Sequence, residues 1–263
     1  MSENMAEKIH VRLSRRFKVR KLIEFGKYLA RTMLQWTPAG RAYYAKRKAA
    51  QKAELSRNLL EHGPEILRMV HEAFTRAGYK YYVCDGTLLG VIREGSILKH
   101  DIDVDFTVMA GSATPKQVLD LALDLGFQFF WSWTYEGKVA NLAFEYKGVH
   151  VDFDFLLPEE GHMSQLIFTK LDGVKYKKGD WEWSVVARPM PIVREVECMK
   201  VTQYGFDVLV PENYDEYLTA AYGTWRTPDS QWREKNLTTT PVDWVHKPSP
   251  GIRISIDDIN KMP

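Results

Sequence analysis

Between positions 101 and 106 the chain reads Asp101-Ile102-Asp103-Val104-Asp105-Phe106, and few arrangements tolerate that pattern. Successive side chains of a strand point to opposite faces. A strand over roughly 101–109 therefore puts three carboxylates on one side and Ile102, Val104 and Phe106 on the other. Like charges that close raise one another's pKa and cost stability. A cation offsets the cost, and hard cations such as Mg²⁺ take carboxylate oxygens together with substrate phosphates. An ordinary acidic edge strand would mix in Lys, Thr or Ser. Asp101 and Asp105 lie ~13 Å apart along a strand, so one ion cannot touch both. Asp103 and Asp105 are the favoured ligands, because Val104 and Phe106 anchor them; Asp101 with Asp103 is the alternative.

A second strand repeats the theme. In Val149-His150-Val151-Asp152-Phe153-Asp154-Phe155, Asp152 and Asp154 share a face opposite Val151, Phe153 and Phe155. If it lies beside the first, four or five carboxylates converge. That is the arrangement of metal-dependent phosphoryl or nucleotidyl transfer, where Mg²⁺ (or Mn²⁺) bridges phosphate oxygens. The opposite wall is expected from Asp85-Gly86-Thr87-Leu88-Leu89-Gly90. A glycine turn at Gly86 lets backbone N–H groups approach phosphate, and the Thr87 hydroxyl adds a hydrogen bond. Arg93 is a candidate two-pronged phosphate ligand; its bland alternative is a surface side chain.

The remaining pattern predicts an α+β fold. Residues 49–77 form a helix that Pro64 restarts or kinks, ending at Gly78. A short strand at 81–84 and one helical turn at 88–92 follow. Thr114 caps a helix that Gly126 stops. Strands at 127–133 and 139–146 join across Glu136-Gly137, and the second aspartate strand follows Lys147-Gly148. Residues 158–200 read as loop-rich, 213–222 as a short helix, and the polar stretch beyond Pro228 as a tail wrapped over the body. The domain layout is thus 1–50 arm, 51–228 catalytic domain, 229–263 tail. The aromatic stretches 127–135 and 181–183, with Tyr222 and Trp225, fit either core or an acceptor groove.

A formal charge of +2 over 263 residues hides an asymmetry. Residues 8–48 hold thirteen Lys or Arg against one acid, Glu24, whereas residues 49–263 hold 23 basic and 31 acidic residues. Leu22, Phe25, Leu29 and Met33 recur at helical spacing among Lys18, Arg20, Lys21, Lys27 and Arg31. That is a basic amphipathic helix suited to a bilayer interface. Packing on the body, a dimer contact and a nucleic-acid patch are the competing readings. Two cysteines form no CxxC pair, no run approaches a membrane span, and no secretory pattern opens the chain. The expectation is a cytoplasmic protein.

Four motifs, in order, resemble the signature of the LicD and fukutin family. They are Asp85 through Arg93 (DGTLLGVIR), Asp101-Ile102-Asp103-Val104-Asp105, Lys147 through Asp152 (KGVHVD), and Val210 through Leu218 (VPENYDEYL) with Tyr222-Gly223. Together they cover roughly residues 55–227. The resemblance implies a nucleotidyltransferase-like mixed sheet flanked by helices. It also implies Mg²⁺-dependent transfer of a phosphorylated alcohol, of the phosphocholine, ribitol phosphate or glycerol phosphate type. The donor would be CDP-activated, the acceptor a surface or lipid-linked glycan, and the other product CMP. By carry-over Asp103 and Asp105 are metal ligands, Asp152 the third carboxylate (ligand or base), and Gly86, Thr87 and Arg93 hold the diphosphate. No acceptor residue is assigned. Lys99-His100 stands where many members have Pro-Trp, and Ile102 interrupts a triplet that many have unbroken.

The leading expectation is a peripheral-membrane transferase at the inner face of the membrane, held there through residues 8–48. One alternative moves NMP from an NTP to a small molecule or polymer. The other is an inactive membrane-binding scaffold, which the uncompensated carboxylates argue against. A nucleic-acid partner is not expected, because the body is acidic around its best site.

Overall fold

A computed structural model of the chain describes residues 36–169, 182–193, 198–229, 245–246 and 251–261. The amphipathic stretch expected at 19–34 lies outside the described residues. Two compact units are present, 1–54 and 55–263. In the first, Trp36 and Tyr43 are exposed along the start of helix α1 (Pro38–Ala77). Pro38 begins α1 in the position where a missing N–H costs nothing. Gly78, at φ 73°, ends it. Pro64 lies inside this single element. The carbonyl it leaves without a donor belongs to Leu60, which is exposed and has water within reach.

The second unit is built on one ten-stranded sheet. Strands β1 (Tyr81–Val83), β2 (Asp103–Val108), β3 (Gln128–Tyr135), β4 (Lys138–Tyr146) and β5 (Val149–Phe155) form half of it. The other half is β6 (Leu157–Glu159), β7 (His162–Thr169), β8 (Glu182–Met190), β11 (Val245–His246) and β12 (Gly251–Ile254). The order is β1-β2-β5-β4-β3-β12-β8-β7-β6, with β11 beside β8. β2 and β5 run parallel, and the other pairs are antiparallel. A hairpin of β9 (Cys198–Gln203) and β10 (Phe206–Pro211) stands apart as a two-stranded sheet. Helices α2 (Asp85–Arg93), α3 (Pro115–Asp124), α4 (Tyr214–Tyr222) and α5 (Ile256–Ile259) complete the unit. The architecture is the expected mixed sheet with flanking helices.

Strand alternation sorts the sheet into two faces. Val104, Phe106, Val151, Phe153, Leu142 and Phe144 turn to one side and are buried to within 1 %. Phe153 stacks on Phe106 at 5.3 Å and on Phe74 of α1 at 5.5 Å. Helix α3 is set locally by a capping box between Thr114 and Gln117 and by Gly126 at φ 83°. Its Val118, Leu119 and Ala122 are buried in the same core.

Two expectations need correction. The span 158–200 holds strands β7 and β8, which pair over seven positions. The stretch after 228 does not simply wrap the body, since β12 is inserted between β3 and β8. The alternation in Gly251-Ile252-Arg253-Ile254 carried that signal, but polar and proline residues around it hid it.

Candidate active site

The other face of the sheet carries the carboxylates. β2 and β5 pair in register with Asp103 opposite His150, Asp105 opposite Asp152 and Thr107 opposite Asp154. One oxygen each of Asp103, Asp105 and Asp152 lies within 4.8 Å of the others. Burial, and then the charge of Asp101, lifts Asp103 to about 8. Burial and the charge of Asp103 lift Asp152 to about 8 as well. Asp105 rises far above the ordinary carboxylate range, from burial and then Asp103. Among the described residues no ion pair reaches these three. Three half-buried carboxylates with no protein cation paired to them could serve as a donor set for a hard divalent ion.

Asp101 corrects the simple strand picture. It precedes β2, and its Oδ1 accepts from the Ile102 N–H at 3.0 Å. It adjoins Asp103 without joining the three clustered oxygens. Its carboxylate lies on the Cα of Gly86, where a Cβ would overlap Asp101 Oδ2. The glycine is thus required by a protein carboxylate. Gly86 sits in the first turn of α2 rather than in a free turn, and α2 begins at Asp85 with φ 42°.

Thr87 is buried at 3 % exposure, and its Oγ1 accepts from the Asp105 N–H at 2.9 Å. It ties α2 to β2. Arg93 stands eight residues beyond Asp85, so ~12 Å along the helix axis. Its Nη1 donates to the Trp225 carbonyl at 3.1 Å and its Nη2 to Glu94 at 3.0 Å. It joins α2 to the segment after α4, and a diphosphate would have to displace those bonds.

A second set of residues was not singled out from sequence. Asn141 on β4 donates through Nδ2 to Asp152 at 3.2 Å and to Asp154 at 2.9 Å. Gln165 on β7 donates to Asp154 at 3.1 Å and to Asp85 at 2.6 Å. Arg188 on β8, 3 % exposed, donates from Nη2 to Asp85 at 2.7 Å, from Nε to Gln165 at 2.9 Å and from Nη1 to the Ala221 carbonyl at 3.2 Å. Cys84, Asp85 and Asp154 also lie within 4.8 Å of one another, but Arg188, Gln165 and Asn141 already serve that group. The first cluster could hold a cation; the second already has Arg188 beside it.

Removing one member of a buried ion pair leaves the other charge uncompensated, at about 3–5 kcal/mol. Arg188→Met is therefore expected to lower the melting temperature by roughly 6–20 °C, at 2–4 °C per kcal/mol for a unit this size. Calorimetric or fluorescence melting checks this, and Arg188→Lys should recover part of the loss.

Residues 78–185 match the family model described as LicD/FKTN/FKRP, nucleotidyltransferase domain. No curated protein matches the chain. The family segment contains α2, both aspartate strands and Gln165. Arg188 lies just beyond it, and α4 further along the chain.

Proposed function

We propose that this chain, which over residues 78–185 belongs to the LicD/FKTN/FKRP family, transfers a phosphorylated alcohol from a CDP-activated donor to a sugar hydroxyl of a surface or lipid-linked glycan. The observation that carries the reading is the convergence of Asp103, Asp105 and Asp152 on one point of the sheet face. A bound Mg²⁺, or Mn²⁺ in its place, would neutralise diphosphate charge and favour departure of CMP. Asp103 and Asp105 would hold it, with Asp152 as the third carboxylate.

The chain's own contribution is positioning. Thr87 fixes the backbone at Asp105, Asn141 fixes Asp152, and Arg188 with Gln165 fixes Asp85 beside them. The acceptor hydroxyl oxygen forms a bond to the donor β-phosphorus as the bond from that phosphorus to the CMP oxygen breaks. Asp152 takes or relays the hydroxyl proton.

We place the protein at the inner face of the membrane, peripherally, through the basic residues 8–48. Among the described residues no helix is long and apolar enough to cross a bilayer. Transfer of NMP from an NTP uses the same carboxylates and is the competing reaction.

The test incubates the protein and Mg²⁺ with CDP-choline, CDP-ribitol or CDP-glycerol, plus membrane or glycan extract. CMP release from one donor, absent without extract or metal, is the expected result. Pyrophosphate release from an NTP, with no CMP from any CDP-alcohol, would replace this function with nucleotidyl transfer.

A further inference from the structure

The sheet face that bears the carboxylates continues past them. Register runs from Asp105 to Asp152 on β5, to Ala143 on β4 and to Trp131 on β3. These four side chains share one face. At this point β3 is bulged: Phe129 pairs with Phe144, Trp131 pairs with Ala143, and Phe130 is the extra residue between them. A bulge re-aims side chains, and here Phe130 joins Trp131 on the carboxylate side. Their rings are 3.9 Å apart, and Phe130 lies 5.4 Å from His150, the residue paired with Asp103. Arg253 of β12 sets its guanidinium 4.2 Å from the Trp131 ring centre. Trp131 and His150 are half-buried, whereas Phe130 is 44 % exposed.

We infer that Phe130, backed by Trp131 and Arg253, is a stacking shelf for a sugar ring of the acceptor glycan. The assignment rests on the glycan transfer proposed above. Three observations favour this occupant. The guanidinium on the Trp131 ring repels a quaternary ammonium, so the shelf is not a cage for a choline-type group. Phe130 stands open on the sheet surface rather than inside a cavity of the kind that encloses a small ligand, and an open ring accommodates one residue of a longer chain. Hydrogen-bonding groups lie beside it, Glu145 on the adjoining strand β4 and His150 on β5 beyond that.

Trp131 lies two strands from Asp152, ~10 Å between Cα rows. The stacked ring is therefore a neighbour of the reacting sugar, and the shelf sets which hydroxyl reaches the carboxylates. Phe130→Ala removes an exposed ring and leaves the core intact.

The whole protein is applied, as wild type, Phe130→Ala and Arg253→Gln, to a printed array of surface oligosaccharides. Calorimetric titration with CMP and Mn²⁺ runs beside it. Wild-type binding to a set of glycans, weakened tenfold or more in Phe130→Ala with CMP affinity kept within twofold, is the expected result. Unchanged array binding in both variants, or no wild-type binding to any glycan, overturns the shelf and leaves the transfer reaction standing. A loss of CMP affinity in Phe130→Ala overturns it too, since the ring would then hold the nucleobase. Failure of the transfer reading appears separately, as no CMP release by the wild type from any of the three CDP-alcohols. It takes the acceptor assignment with it.

Discussion

Asp105→Asn is expected to cut turnover at least ~10³-fold, equivalent to about 4 kcal/mol of transition-state stabilisation, while the protein melts at the same temperature or higher. The two effects have opposite signs for one physical reason. Asp105 is half-buried and crowded against Asp103 and Asp152, so its charge opposes folding unless a cation is bound. The neutral amide keeps the shape and loses the repulsion, together with the strongest part of the cation's attraction. Asp103→Asn should behave alike. Steady-state CMP release and a melting curve on the same preparations check it. Wild-type turnover in either variant would remove the carboxylates from the chemistry, and a large fall in melting temperature would make the loss of activity a folding defect.

The second large effect is a pH dependence that a divalent ion reverses. Asp103 and Asp152 titrate near 8 in the folded protein, raised by burial and by neighbouring acids, against about 3.9 when unfolded. Across that window the folded state binds more protons, so the slope of stability with pH is negative. These groups are most compatible with the fold below pH 4, and the metal-free protein loses stability as pH rises towards 8. Mg²⁺ or Mn²⁺ at 100 times its dissociation constant should return about 2.7 kcal/mol, or roughly 5–11 °C in melting temperature, with the gain largest near pH 8. Scans from pH 5 to 8 with EDTA or metal measure it. A metal-induced rise as large in Asp103→Asn would place the ion elsewhere.

Much of this site was legible because its information is local. Alternation in a strand fixes which of Asp103, Val104, Asp105 and Phe106 face together, and the same holds for Asp152 and Asp154. The capping box at Thr114 and the glycine stops at 78, 126 and 223 are also short-range signals. What escaped was determined by distant pairing. The partner of Asp85 is Arg188, 103 positions away, and nothing near either residue announces it. Gln165 and Arg188 lie on strands in a region whose turn residues suggested loop. The close neighbours of Gly86 and Thr87 are Asp101 and the Asp105 amide, contacts that arise only when α2 folds onto β2 and that no local pattern announces. That Asp101 stands outside β2 was not legible locally, because the strand start is a tertiary property.

The place of β12 bears on how the molecule reaches its native state. Thr134 donates its hydroxyl to the Ile252 carbonyl, 118 positions along the chain, and β12 is the seam between β3 and β8. Until that segment arrives, two strands present raw backbone edges with nothing to satisfy them, a template for intermolecular pairing. Closing so long a loop is slow relative to forming the β3–β4 or β7–β8 hairpins. Aggregation during refolding should therefore originate at this unsealed gap, and chaperone dependence should track the arrival of the last strand rather than assembly of the aspartates.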